Sequence, residues 1–314
     1  VTKNSVLAAT ADESLERIVT VSPNIPSTRA HPPGSLADTA SSLAKTGATT
    51  LIDIYHHWFE IVQATDEALR AEAFRLRYQV YCVENPFEDP TENPDGLETD
   101  EFDDRSAHSL LIHRPTETVA GCVRLVLPKP AVGTVRLVLP EGGRAPGSLP
   151  IHRVCNHPAL LDPAILPPET TAEISRFAIS KAFRRRRQDG RFPDSVEGVA
   201  ANSIRVPDRR LLPHMTLGLL KGVMKMSAEH GITHWCAVLE PALLRLLGRL
   251  GLHLTPLGPT VQYHGLRQPA YADIAELAVR TKRERPEVWE LCTEGGRLLA
   301  KLPSLAGGER SVAG

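Results

Sequence analysis

The chain has 314 residues, 42% hydrophobic and 23% charged, with a formal net charge of −1. That composition fits a globular protein of one large domain or two ordinary ones, and its near-neutrality excludes nucleic-acid recognition by the molecule as a whole. Three further features point to a cytoplasmic protein with reduced thiols: no apolar run long enough to span a membrane, no basic-then-apolar leader, and five cysteines (Cys82, Cys122, Cys155, Cys236, Cys292) without CxxC spacing.

Residues 1–48 are rich in Ser, Thr, Ala, Pro and Gly and lack periodicity, which predicts a disordered extension. Order is expected over 49–293, followed by a flexible tail over 294–314. In "TTLIDIYHHWFEIVQA", Ile52, Tyr55, Phe59 and Val62 have helical spacing. "ATDEALRAEAFRLRYQVYCVE" predicts a second helix capped by Thr65, with Leu69, Ala73, Leu76 and Val80 as its apolar stripe. An acidic, turn-rich loop leads to a β-hairpin, "AHSLLIH" and "VAGCVRLVLP". "VRLVLP" recurs at 135–140, so either Arg124 or Arg136 could occupy the equivalent strand position. After a Pro-rich stretch come a strand "AEISRFAIS", a helix ending at Gly231 and a strand "ITHWCAVLE". A helix from Pro241 to Gly251, one or two short strands and a helix over about 270–292 complete the α/β (α+β) pattern.

Several charges sit where packing calls for apolar groups. Arg77 falls among Ala73, Phe74, Val80 and Tyr81 on its helix, where it either snorkels, makes a structural salt bridge or meets a ligand anion. Arg124 shares a strand face with Cys122 and Val126. In "EISRFAIS", strict alternation places Glu173 with Ser175, Phe177 and Ile179, and Arg176 on the opposite face with Ile174 and Ala178. In "ETDEFDD", Phe102 can anchor the loop and turn Asp100 and Asp103 inward. Clustered charges of this kind build either a structural network or an active site. His152, Cys155 and His157 fit no zinc spacing, and no metal is expected.

In this order, "FRLRYQVYCVE", "TDEFD", "GCVRLVLP" and "EISRFAIS" resemble the acyl-homoserine-lactone synthases and the N-acyl amino acid synthases. The resemblance covers roughly residues 50–275 and is strongest to the branch described as PEP-CTERM/exosortase-system-associated acyltransferases, which "LGPTVQYHGLRQPAYADI" also resembles. It implies a GNAT-type acyltransferase fold, a central mixed sheet flanked by helices. It further implies transfer of a fatty acyl group from acyl carrier protein or coenzyme A to the amine of an amino acid or similar small amine. The acyl thioester would be the donor, with no permanently bound cofactor. The carrier protein would be the partner, nucleic acid would not, and the lipid product would bring membrane contact.

Carried over by position, the resemblance makes Glu173 the general base and places Arg77, Asp100, Asp103 and Arg124 in the catalytic group, with Arg77 or Arg124 gripping a substrate carboxylate. Tyr81, Phe102, Ser175, Arg176, Phe177, Ala178, Arg184 and Arg185 would bind substrate or donor. Strand 173–180 would splay from its neighbour to admit the donor arm, and phosphate would sit at the helix N-terminus that follows. The lactone synthases carry a tryptophan shortly after the helix arginine. This chain has "CVENPF" there, which counts against S-adenosylmethionine as the amine. Two alternatives stay open: a lactone synthase, and a non-catalytic module whose cleft beside this strand would be blocked.

Overall fold

A computed structural model describes residues 50–129, 149–184 and 211–303. Helix α1 (Leu51–Trp58) opens on a capping box, in which the Thr50 hydroxyl accepts from the Asp53 N–H while the Asp53 carboxylate accepts from the Thr50 N–H. The helix ends sooner than its spacing predicts, because Phe59–Gln63 is strand β1. Phe59 and Ile61 are buried while Glu60 is exposed, a period of two, and β1 finds an antiparallel partner in β2 (Ser106–His113). The ladder outweighs the local helical pattern.

Helix α2 (Glu67–Tyr78) is capped by Asp66 rather than Thr65, its carboxylate accepting from the Leu69 N–H at 2.8 Å. It widens into one π-helical turn over Gln79–Glu84. The hairpin of β2 and β3 (Thr118–Val126) follows, as expected. Next come β4 (Thr171–Ile179), the short α3 (Lys181–Arg184), α4 (Leu211–His230), β5 (His234–Leu239) and α5 (Pro241–Arg249). Gly231 and Gly251, with φ of +65° and +79°, end α4 and α5 in the left-handed conformation that glycine tolerates best.

The C-terminal region departs from expectation. After the two-residue strands β6 (Thr255–Pro256) and β7 (Val261–Gln262), the segment Leu266–Asp273 is strand β8, not the start of a helix. It pairs along the whole of β5, Leu239↔Gln268 to His234↔Asp273. Asp273 then caps α6 (Ile274–Glu284), and Pro286 separates it from α7 (Pro286–Thr293). The expected tail begins inside packed structure, since Leu298 and Leu302 are buried in the main core.

The strand order is β1-β2-β3-β4-β5-β8-β6, with β7 on β8. One face of the sheet carries the large core, in which Ile61, Leu111, Val123, Leu125 and Ile174 meet Met215, Leu219 and Val223 of α4. The other face carries two smaller apolar clusters. One joins α2 to Leu110, Cys122 and Ala178; the other gathers Phe102, Val126, Ile151 and Cys236. Arg124 lies between them in sequence and space, on the face of Cys122 and Val126.

Helix α4 seats on the sheet through small residues. A Cβ on Gly222 would stand 2.8 Å from the Ser109 Cβ and 3.0 Å from Ile61. Gly222→Val is therefore expected to cost about 3 kcal/mol by overpacking, seen as a lower urea midpoint at an unchanged slope.

Candidate active site

Strand β4 breaks its own alternation. Arg124 pairs with Ser175 and Cys122 with Ala178, so Arg176 and Phe177 together oppose Val123. This is a β-bulge, and Arg176 takes its kink at a φ of +48°. The extra residue corrects the face assignment: Arg176 and Ala178 join Glu173 and Ser175 on the α2 side, whereas Phe177 and Ile179 pack with Ile174 in the main core. Just before the bulge β4 also leaves β5. Their parallel ladder covers only Thr171–Ile174 against His234–Ala237, although β4 runs to Ile179 and β5 to Leu239.

A cavity of about 640 Å³ fills the opening, lined by β4 residues 173–179, the end of β5, α5, and two lips. One lip is the loop at Phe87 and Glu88; the other is the β7–β8 hairpin with Tyr263, His264 and Arg267. The cleft beside this strand is open, which removes the blocked-cleft condition attached to a non-catalytic module.

Two buried arginines and a half-buried one, from three elements, meet the acidic loop. Arg77 donates from Nη1 and Nη2 to Asp103 at 2.6 and 3.0 Å, and from Nε to Glu98. Arg124 grips Asp100 bidentately at 2.6 and 2.9 Å, reaches Asp103 at 2.8 Å and donates from Nε to Ser175 Oγ at 3.0 Å. Arg176 binds Glu98 at 2.7 Å, and Asp100 and Glu88 at 3.2 Å each, while stacking over the Tyr81 ring. Burial opposes ionisation of Asp103, but Arg77 and Arg124 outweigh it and hold the carboxyl well below the usual range. Asp100 and Glu98 are lowered in the same way, against the same opposition from burial, by the arginines they contact. His108, 3.5 Å from Asp103, is pushed down to about 4 by burial and by Arg77, and so stays neutral.

Glu173 sits differently. It is buried and has no arginine partner within salt-bridge distance among the described residues, and its Oε2 accepts the Ile151 N–H at 2.6 Å. Burial raises its pKa to about 8, although that hydrogen bond and Arg124 pull the other way. It lines the cavity at the point where β4 separates from β5.

Of the residues singled out in the sequence, Tyr81, Asp100, Phe102, Arg124, Glu173, Ser175, Arg176, Phe177 and Ala178 all line this cavity. Arg77 and Asp103 stand behind the wall. The forks of Arg77 and Arg124 are filled by carboxylates of the chain itself, so neither is placed to grip a substrate carboxylate. The Arg184 side chain and Arg185 lie outside the described residues, as does Arg136; Arg124 is the copy seen in the network. The N-terminus of α3 is not open to phosphate either, because the Lys181 N–H donates to Glu84 at 3.1 Å.

Sequence reasoning missed Glu98, two residues before Asp100 and so on the same side of an extended segment. It also missed Glu88 and the Ile151 N–H, whose contacts are long-range and leave no local pattern.

Arg77→Met would leave Glu98 and Asp103 buried beside a neutral side chain, at an expected cost of about 3–5 kcal/mol at neutral pH. Carboxylates lowered by the fold stabilise it above their unfolded pKa and lose that contribution as pH falls through the folded value. The gap between wild type and variant in urea unfolding should therefore narrow below about pH 4.

Residues 76–190 match the acetyltransferase (GNAT) domain family. The acyl-homoserine-lactone synthase of Aliivibrio fischeri is 27% identical over 175 residues, 56% of this chain and 69% of that one. Among solved structures, the CoA-dependent acyl-homoserine lactone synthase BjaI with SAM and isopentyl-CoA is 20% identical, with a TM-score of 0.41 over 78% of this chain and 90% of that one. FeeM, an N-acyl amino acid synthase from uncultured soil microbes, is 15% identical, with a TM-score of 0.41 over 71% and 94%. With that match over residues 76–190, in a mixed sheet flanked by helices, the protein is an acyltransferase.

Proposed function

We propose that this acyltransferase moves a fatty acyl group from a carrier-protein or coenzyme A thioester to the amine of an amino acid or similar small amine. The observation that carries the reading is the position of Glu173, a carboxyl with a raised pKa on the cavity wall where β4 leaves β5. An incoming ammonium loses a proton to the Glu173 carboxylate, directly or through water, and the neutral amine attacks the thioester carbonyl. The β4 backbone freed beyond Ile174 offers groups to the donor arm and N–H donors to the developing oxyanion. Collapse breaks the C–S bond; the second proton, lost by the attacking nitrogen, goes to the leaving thiolate, and Glu173 releases the first to solvent, giving amide, free thiol and the starting carboxylate.

Arg77, Arg124 and Arg176 act in this scheme as positioning residues that fix Asp100 and the loop. The acyl chain would follow Ile174, Phe177, Leu239 and Leu243, which line the cavity and also a small apolar crevice reaching Leu247, Leu252 and Leu277. The hairpin lip falls in the run that resembles the exosortase-associated branch, which favours that branch. An acyl thioester donor also goes with a cytoplasmic location.

The match to the Aliivibrio fischeri enzyme favours a second reading, acyl-homoserine-lactone synthase, in which the amine is S-adenosylmethionine. Mass spectrometry of lipid extracts from cells expressing wild type and Glu173→Gln separates the two. An N-acyl amino acid formed only by wild type supports the first reading, an acyl homoserine lactone supports the second, and no amide from soluble wild type would sink both.

For the purified enzyme, kcat/KM should rise with pH towards a plateau above about 8, and Glu173→Gln should lose about 10²–10⁴-fold. Stability supplies a second readout. A carboxyl raised by folding from 4.5 to about 8 binds more protons in the folded state, so wild type loses stability as pH rises through that window. Glu173→Gln should remove that part of the loss and melt above wild type at pH 9. Leu243→Ala, which widens the joint between cavity and crevice, should shift preference to longer acyl chains in a donor competition assay.

A further inference from the structure

Among the described residues four arginines line the cavity, and they are not equivalent. Arg124 and Arg176 are saturated by the chain's own carboxylates and Ser175. Arg153 is in close contact with Glu101 and lies 4.6 Å over the Phe102 ring. Arg267 is different. Its Nη1 donates to the Leu266 carbonyl at 3.1 Å, and its Nη2 stands 3.4 Å from Glu240, beyond a good hydrogen-bond distance. The Glu240 side chain is 58% exposed and free to swing into solvent, while that of Arg267 is only 15% exposed. The arginine is therefore largely desolvated and held by its packing over Phe87, yet its fork is little used. Among the described residues Nε makes no hydrogen bond, so the edge formed by Nε and Nη2 can take a carboxylate once the exposed Glu240 side chain turns aside.

The two lips of the cavity meet around this residue. His264, with a φ of +49°, contacts the Phe87 ring at 5.8 Å and reaches Glu88 at 3.7 Å. The hairpin thus holds Arg267 at the mouth, opposite the loop fixed by the arginine network.

We propose that Arg267 binds the carboxylate of the acyl acceptor, so that the acceptor is an α-amino acid and not a simple amine; this rests on the amine-acylating reading above. A planar guanidinium with an open edge matches a carboxylate bidentately. The neighbouring charges select the kind of anion. Glu88, Asp100 and Glu240, which line the same cavity, repel the dianionic phosphates of a donor, whereas a zwitterion offers its ammonium to carboxylates while its own carboxylate meets Arg267.

The test is isothermal titration of the full chain with pairs that differ only in the carboxylate: tyrosine and tyramine, phenylalanine and phenethylamine, leucine and isopentylamine. Coenzyme A is titrated in parallel. Wild type should bind at least one amino acid about tenfold or more tighter than its amine. Arg267→Gln should abolish that difference, Arg267→Lys should keep part of it, and Arg153→Gln should leave it intact, each variant melting within a few degrees of wild type. Equal binding of acid and amine, no amino acid bound by wild type at millimolar concentration, or discrimination that survives in Arg267→Gln overturns the inference. Loss of coenzyme A affinity alone in Arg267→Gln also overturns it and assigns the guanidinium to donor phosphate. Amide formation is scored separately. Discrimination without any amide product would refute the catalytic reading and leave the carboxylate subsite standing.

Discussion

The ion network of Arg77, Arg124 and Arg176 with Glu98, Asp100 and Asp103 is what the rest of the site depends on. It occupies the gap between two apolar clusters on one face of the sheet, where an ordinary protein would continue its core. Taking six charges wholly or largely out of water is costly unless each is paired and hydrogen-bonded. Here three guanidiniums meet three carboxylates, with Glu88 added at the cavity edge. The arginines come from α2, β3 and β4, whereas every carboxylate comes from the loop over 88–103. The pairing therefore fastens a long loop, poor in regular structure, onto a rigid sheet. It also places one lip of the cavity.

The same saturation explains why carboxyl groups in one site behave in opposite ways. Asp100, Asp103 and Glu98 are held ionised by direct guanidinium contacts. Glu173 lies upstream of the bulge, opposite Val126 and Cys236, where the arginine forks are already spent on the loop. One backbone N–H does not offset its burial, and its pKa rises. Such contrasting environments push titratable groups apart, leaving one set as fixed negative charge and Glu173 with a raised pKa, as the proposed role requires.

The odd residues were legible in the sequence, but part of their geometry was not. Arg77, Arg124 and Glu173 betrayed themselves by breaking an apolar face, a purely local signal. Arg176 also broke the pattern, but alternation placed it on the wrong face, because a bulge is set by register against β3 and not by the order of side chains. The helical spacing of Phe59 and Val62 was real yet lost to a ladder with β2, and β8 was hidden because its partner β5 precedes it by some thirty residues. Glu98 could have been found from its spacing to Asp100. Arg267 could not, since it stands out only by comparison with the more fully bonded arginines beside it in the cavity, and those contacts are long-range.

The network also accounts for the opening of the cavity. A non-glycine residue at a φ of +48° is uncommon and costs energy, so it persists only where its surroundings over-determine it. Arg176 meets that condition, because its guanidinium reaches Glu98, Asp100 and Glu88 together. The bulge it creates shifts β4 by one residue against β3, and the ladder to β5 ends at Ile174, just before it. The charges thus hold in place the irregularity beside which backbone groups face the cavity instead of a neighbouring strand. A continuous ladder along β4 would satisfy those groups and close the space between β4 and β5.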